Sequence, residues 1–162
     1  MVSVGGEVML IEKELERLVV ERLEALEALK RVEVVGSRQA SSTGIVKGEH
    51  SNDVDAVVAV STGFRSHDNF SLTPVSIPLT IAITSRVEMD ATGAAHEDIL
   101  SAIADLLSHW HKDGNAMSEA LSFEDFYAGE LRMDGGSGKQ FDTNRSAWVE
   151  TINITVRGTQ RF

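Results

Sequence analysis

The chain has 162 residues, a formal net charge of -10 at pH 7 and no cysteine. The lack of cysteine excludes disulfide frameworks, thiolate zinc sites and thiol catalysis, and the acidic balance disfavours general affinity for nucleic acid or anionic membranes. A chain of this length is expected to form one domain, residues 1–162. It contains no apolar run long enough for a membrane helix and no signal-peptide pattern, so we expect folding in a cytoplasm.

The first predicted element is a long amphipathic helix between Glu7 and Lys30. Its apolar residues recur every three or four positions, with glutamate and basic residues between them. This stripe consists of Val8, Ile11, Leu15, Leu18, Val19, Leu23, Leu26 and Leu29. Ion pairs on the exposed side add only roughly 0.2–0.5 kcal/mol each, so burial of the stripe must supply most of the stability. The stripe is expected to face a sheet or a neighbouring subunit.

Two short strands and two polar loops follow the first helix. Residues 31–35 and 53–60 are rich in valine, which predicts strands, whereas residues 36–52 and 61–73 are polar and contain glycine. The second loop carries Phe64 and Phe70. Exposed aromatic residues in a mobile loop indicate a contact surface. The alternative is that both rings fold back and anchor the loop.

The centre of the chain holds its clearest strand, followed by its clearest helix. From Val75 to Met89 apolar side chains occupy alternate positions, which predicts a strand with one buried and one polar face. This alternation is typical of an antiparallel sheet that is covered on one side only. From Ala95 to Trp110 the spacing changes to three and four, which predicts a helix with one buried stripe.

The remainder of the chain predicts a short helix and a closing pair of strands. The helix lies near residues 117–121, and the strands, 126–133 and 147–157, flank a glycine-rich loop that carries Phe141. The expected fold class is α+β, an antiparallel β-sheet with a long N-terminal helix and a second helix packed on one face. We expect Ile81 and Ile103 to meet in the core between strand and helix.

One pair of short motifs resembles the active site of minimal nucleotidyltransferases. Gly36-Ser37 matches the turn that holds phosphate in that family, and Asp53 and Asp55, two apart on a strand, share a face as its magnesium-binding carboxylates do. The resemblance implies a magnesium-dependent enzyme, although the separation between the motifs is longer than the family shows. The alternative is that Asp53 and Asp55 cap the beginning of a strand. We expect no metal site here, and no catalytic or cofactor-binding residue elsewhere.

The layout of the whole chain resembles a different family. An acidic N-terminal helix is followed by the strand, turn and helix SIPLTIAITSRVEMDATGAAHEDILSAIADLL and by the closing pair FYAGELRMDGGSGKQFDTNRSAWVETINITV. This order of elements, the size of the chain and the hairpin that ends near a tryptophan are similar to those of tail terminator or tail completion proteins of long-tailed bacteriophages.

That resemblance implies a structural virion protein rather than an enzyme. It implies a homomeric ring, usually hexameric, that is assembled in the host cytoplasm and lies at the head-proximal end of the tail tube. Its partners would be the tail tube protein and the head connector, and DNA would pass through it without sequence-specific binding. We expect the tube-facing surface to include one or both loops, 62–73 and 134–144, with Phe64, Phe70 and Phe141 as contacts. Ring contacts are expected on the more rigid sheet edges and helix faces.

Overall fold

A computed structural model describes residues 10–36, 56–67, 74–87 and 92–161. The described helices are α1 (Ile11–Glu24), α2 (Ala94–Lys112) and α3 (Gly114–Leu121), with a 3-10 turn at Glu27–Leu29. The described strands are β1 (Val32–Gly36), β2 (Ala56–Thr62), β3 (Ser66–His67), β4 (Pro74–Arg86), β5 (Phe126–Gly136), β6 (Gln140–Asp142) and β7 (Ala147–Gln160). The fold therefore combines a multi-stranded sheet with helices.

The strands form one mixed sheet in the order β1, β2, β4, β7, β5. Strands β4 and β7 are its longest pair, running antiparallel from Pro74 opposite Thr159 to Arg86 opposite Ala147. The short strands β3 and β6 lie beside β4 and β7, beyond the ends of β2 and β5. Strand β7 thus lies inside the sheet, with β4 on one side and with β5 and β6 on the other.

The core lies between one face of this sheet and the helices. On β4 the alternate residues from Val75 to Ile83 are buried, and the buried stripe of α2 includes Ile103 and Leu107 in the same apolar cluster. Helix α1 adds Leu15, Val19 and Leu23 to that cluster. Both Ile81 and Ile103 have no exposed surface, as expected for residues of one core.

The observed structure differs from the sequence-based prediction in three places. The expected wholly antiparallel sheet is wrong, because β1 pairs with β2 in parallel. Parallel neighbours need a connection of roughly a dozen residues or more, and residues 37–55 are long enough to provide it. The predicted helix of residues 7–30 gives way at Ala25 to a turn. In the predicted loop 134–145, β5 continues to Gly136 and β6 pairs with β7.

Candidate functional site

Phe64 is the most exposed of the large apolar side chains in the described part of the chain, with 77% of its surface in contact with solvent. It lies in the short connection between β2 and β3. The expectation of an exposed aromatic at this position is consistent with the fold. Phe70, the other aromatic of the same predicted loop, lies outside the described residues.

The connection that carries Phe64 is held on both sides of the aromatic ring. On one side, the Gly63 backbone N–H donates to the carbonyl oxygen of Pro78 at 2.8 Å. On the other side, the Arg65 backbone N–H and Nε donate to Glu12 Oε2 at 2.9 and 2.7 Å, and Nη2 donates to Oε1 at 2.8 Å. The Arg65 guanidinium also lies 5.4 Å from the centre of the Phe64 ring. The residues on both sides of Phe64 are therefore hydrogen-bonded to β4 and α1, contacts that the sequence did not indicate.

The electrostatics of this support depend on Glu12, whose side chain is buried in the first turn of α1. Burial alone would raise the pKa of the Glu12 carboxyl, but the hydrogen bonds from the Arg65 side chain and backbone outweigh it. The pKa of Glu12 is consequently below its ordinary value. A buried ion pair with three hydrogen bonds therefore holds Arg65, the residue that follows Phe64.

Phe141 lies at a second exposed corner, on β6. Its ring packs edge to face against Trp148 with the centroids 5.6 Å apart, and it remains 48% exposed. The Lys139 ammonium lies 5.0 Å from the Trp148 ring centre and 2.6 Å from Glu97 in α2. These contacts connect the β6 corner to the start of α2. The corner presents an aromatic surface next to a paired lysine and glutamate.

An open groove of about 290 Å³ lies where the end of α1, α2 and α3 meet. Its apolar lining comes mainly from Leu26, Leu106 and Trp110, with alanines of α3 at one wall. Arg22 and Glu119 stand among its lining residues, and neither forms an ion pair with another described residue. The groove therefore combines an apolar floor with charges of both signs.

Of the residues in the nucleotidyltransferase pattern, the structure describes only Gly36. Ser37, Asp53 and Asp55 lie outside the described residues, whereas Gly36 ends β1 opposite Val60. Strand β2 begins at Ala56, opposite Val32. Gly36 and Ala56 are therefore four positions apart along the paired strands, which is roughly 13 Å at the rise per residue of a strand.

The immediate surroundings of Gly36 are also unsuited to phosphate. A Cβ at Gly36 would lie 2.5 Å from Oε2 of Glu16, so that carboxylate occupies the space beside the glycine. Glu16 is a buried residue of α1 and accepts a hydrogen bond from the Thr62 hydroxyl at 3.3 Å. A carboxylate at this position repels an anionic ligand.

A buried polar chain, which the sequence analysis did not find, connects α2 to the sheet. His96 Nδ1 lies 2.9 Å from the Ser85 hydroxyl, and His96 Nε2 lies 3.0 Å from Glu150. One tautomer satisfies both contacts, with the serine donating to Nδ1 and Nε2–H donating to the carboxylate. The order of groups is that of a nucleophile, a base and an acid. Ser85 is only 1% exposed, however, which favours a structural role in joining α2, β4 and β7.

The comparisons with known proteins identify no family for this chain. No family model and no curated protein matches the sequence. Within residues 10–36, 56–67, 74–87 and 92–161, no three His, Asp or Glu side chains are grouped so as to hold a metal ion. In the same part of the chain, no helix has the length and apolar character needed to cross a membrane.

Proposed function

We propose that this protein is a structural subunit of a phage virion that forms a homomeric ring at the head-proximal end of the tail tube. The ring stops growth of the tube and provides the surface for head-tail joining. The proposal rests mainly on the exposed aromatic side chain of Phe64, whose neighbours in sequence are held by hydrogen bonds. A solvent-exposed aromatic side chain on a well-held backbone is typical of an anchor residue in a protein–protein contact.

A ring that caps a tube needs two separate contact surfaces, one for neighbouring subunits and one for the tube. Phe64 and Phe141 supply exposed aromatic groups on different parts of the fold, one beside the start of α1 and one beside the start of α2. We assign the β6 corner around Phe141 to the tube. The hexameric number, the tail tube protein and the head connector as partners rest on the resemblance in element order.

The charge of the chain suits a subunit through whose ring DNA passes. With a net charge of -10, the protein repels phosphate in general and has no need to recognise a base sequence. The nucleotidyltransferase alternative has less support, because the carboxylate of Glu16 lies beside Gly36, where that family holds phosphate.

The test uses the assembled mass in solution together with purified tail tubes of the phage that encodes the chain. The wild-type protein is expected to give a single ring-sized species and to limit tube length when tubes are polymerised in its presence. Phe141→Ser should leave the ring mass unchanged and allow tubes to grow longer, because it removes an exposed aromatic without touching the core. Thr143→Ala, an exposed change in the next turn, is the matched control.

Two outcomes would contradict the proposal at different levels. A wild-type chain that stays monomeric, both alone and with tubes, rejects the ring and the family resemblance together. A Phe141→Ser variant that limits tube length at wild-type concentration rejects the β6 corner as the docking surface and leaves the ring intact.

A further inference from the structure

We infer that residues 138–146, which carry β6, form a strap that opens and closes on the sheet as a unit, with Lys139 as the latch that keeps it closed. Three residue pairs join this β6 strap to β7. All of its residues are exposed except Lys139 and Asp142, which are half-buried. A segment with so few buried contacts opens at a lower free energy than the sheet on which it lies.

Both ends of the β6 strap have backbone conformations that suit a hinge. Gly138 has a φ of 76° and Ser146 has a φ of 49°, both in the left-handed region. A Cβ at Gly138 would meet no atom within 4 Å, so no neighbouring group packs against this glycine. Hinges are a few residues that absorb a change in φ and ψ while their surroundings stay in place. The β6 strap therefore has a pivot at each end.

Hydrogen bonds fix the chain at these two pivots. Next to Gly138, the Ser137 N–H donates to the Thr151 carbonyl oxygen at 3.1 Å, and the Thr151 N–H donates to the Ser137 hydroxyl oxygen at 3.0 Å. At the other pivot, the Val87 N–H donates to the carbonyl oxygen of Ser146 at 3.0 Å. An opening motion is therefore confined to the β6 strap and leaves β7 paired with β4 and β5.

Lys139 makes the contacts that hold the β6 strap against the rest of the fold. Its ammonium lies 2.6 Å from Glu97 in α2 and 5.0 Å from the Trp148 ring centre in β7. Exposed ion pairs and cation–π contacts are each weak, so loss of both corresponds to about a ten-fold change in the opening equilibrium. Salt screens an exposed ion pair, and closure of the strap therefore depends on ionic strength.

The consequence for docking rests on the proposed function, in which the β6 corner contacts the tube. The closed strap holds the Phe141 ring in one position against Trp148, with the centroids 5.6 Å apart. An anchor that is already held in place loses less conformational freedom on binding than a mobile one. The closed strap is therefore the form that docks.

Hydrogen exchange of residues 138–146 in the full-length protein measures the opening. In the wild type, exchange should become faster as salt rises from about 0.1 to 1 M, where the screening length falls from roughly 10 to 3 Å. Lys139→Met removes the charge and should exchange about ten-fold faster at low salt, with little dependence on salt. The matched control is Arg132→Met, which removes the same charge from an exposed ion pair in β5 and should exchange like the wild type.

A cross-linked variant supplies a permanently closed strap. The chain has no cysteine, and Gln140 lies opposite Val149 in the pairing of β6 with β7. Directly opposite residues have the separation that a disulfide needs, so Gln140→Cys/Val149→Cys closes the strap when it is oxidised. Exchange of residues 138–146 should then be slow at every salt concentration, and reduction should restore the salt dependence.

The outcomes separate the strap from its role in docking. Exchange of residues 138–146 that is as slow as that of β7 in the wild type, or that is the same in Lys139→Met as in the wild type, would overturn the inference. The oxidised variant should limit tube length at the wild-type concentration or below. If oxidation abolishes this activity and reduction restores it, the closed strap is not the docking form. If neither form limits tube length while exchange behaves as expected, the strap stands and the proposed function fails.

Discussion

Replacing Glu12 by glutamine tests whether the ion pair beneath Phe64 holds the loop in place. The neutral amide has nearly the same shape as the carboxylate, but its NH₂ group must face either the Arg65 Nε and backbone N–H or the Arg65 Nη2. At least one buried donor then loses its acceptor. Breaking a buried pair by changing one partner costs about 3 kcal/mol, at the lower end of the usual range because Arg65 retains some contact with water.

That loss should appear as a lower melting temperature at neutral pH. For a chain of this size, about 3 kcal/mol corresponds to roughly 6–12 °C. Glu21→Gln is the matched control, since Glu21 makes an exposed ion pair with Arg17 in the same helix. Exposed pairs contribute at most about 1 kcal/mol, so the control should melt within a few degrees of the wild type.

The stability contributed by the Glu12 ion pair should also depend on pH in a defined direction. The pKa of Glu12 is lower in the folded protein than in the unfolded chain, so its contribution is fully present above the unfolded pKa and is lost as pH falls through the folded pKa. The melting temperatures of wild type and Glu12→Gln should therefore converge as the pH falls from 7 to below 4. A difference that persists unchanged at pH 3, or that is absent at pH 7, would refute the role given to this ion pair.

Three further predictions concern the core, the buried polar chain and the aspartate pair. Ile103→Ala should lower stability by about 2–5 kcal/mol in urea unfolding, against almost no change for a surface serine-to-alanine change on α2, because Ile103 is fully buried. His96→Leu should melt lower than the double variant His96→Leu/Glu150→Leu, since the single change leaves a buried carboxylate without the imidazole. The double variant Asp53→Asn/Asp55→Asn should assemble like the wild type, because we expect no metal site at these residues. If calorimetry detects magnesium-dependent nucleotide binding in the wild type but not in the double variant, that expectation is wrong.

Elements with a strong hydrophobic period were predictable from the sequence. The alternation along β4 and the three-and-four spacing along α2 each reflect which side of the element is buried, so the order of apolar and polar residues reveals both elements. The buried hydrogen-bonded group of Ser85, His96 and Glu150 was also indicated by the sequence pattern. Ser85, His96 and Glu150 each occupy a position of the apolar register of their element, where a polar side chain is expected only with buried partners.

Pairings between distant segments were not predictable in the same way. The parallel alignment of β1 with β2 depends on how the chain returns after Gly36, and no local pattern specifies that path. Likewise, Glu12 and Arg65 lie far apart in the sequence, and nothing in either neighbourhood indicates their contact. The rigidity of the Phe64 loop follows from that contact, so sequence reasoning gave the exposure of the ring without its support.

The interior position of β7 has a consequence for the order of events during synthesis. This strand is the last described one to leave the ribosome, yet it pairs with both β4 and β5. Until residues 147–160 emerge, both of those strands carry an open edge, which favours pairing with other chains. A nascent chain therefore exposes these edges until β7 has been synthesised and has paired with both strands. Any assembly built on this fold admits only chains that have been translated past Ala147 and through β7.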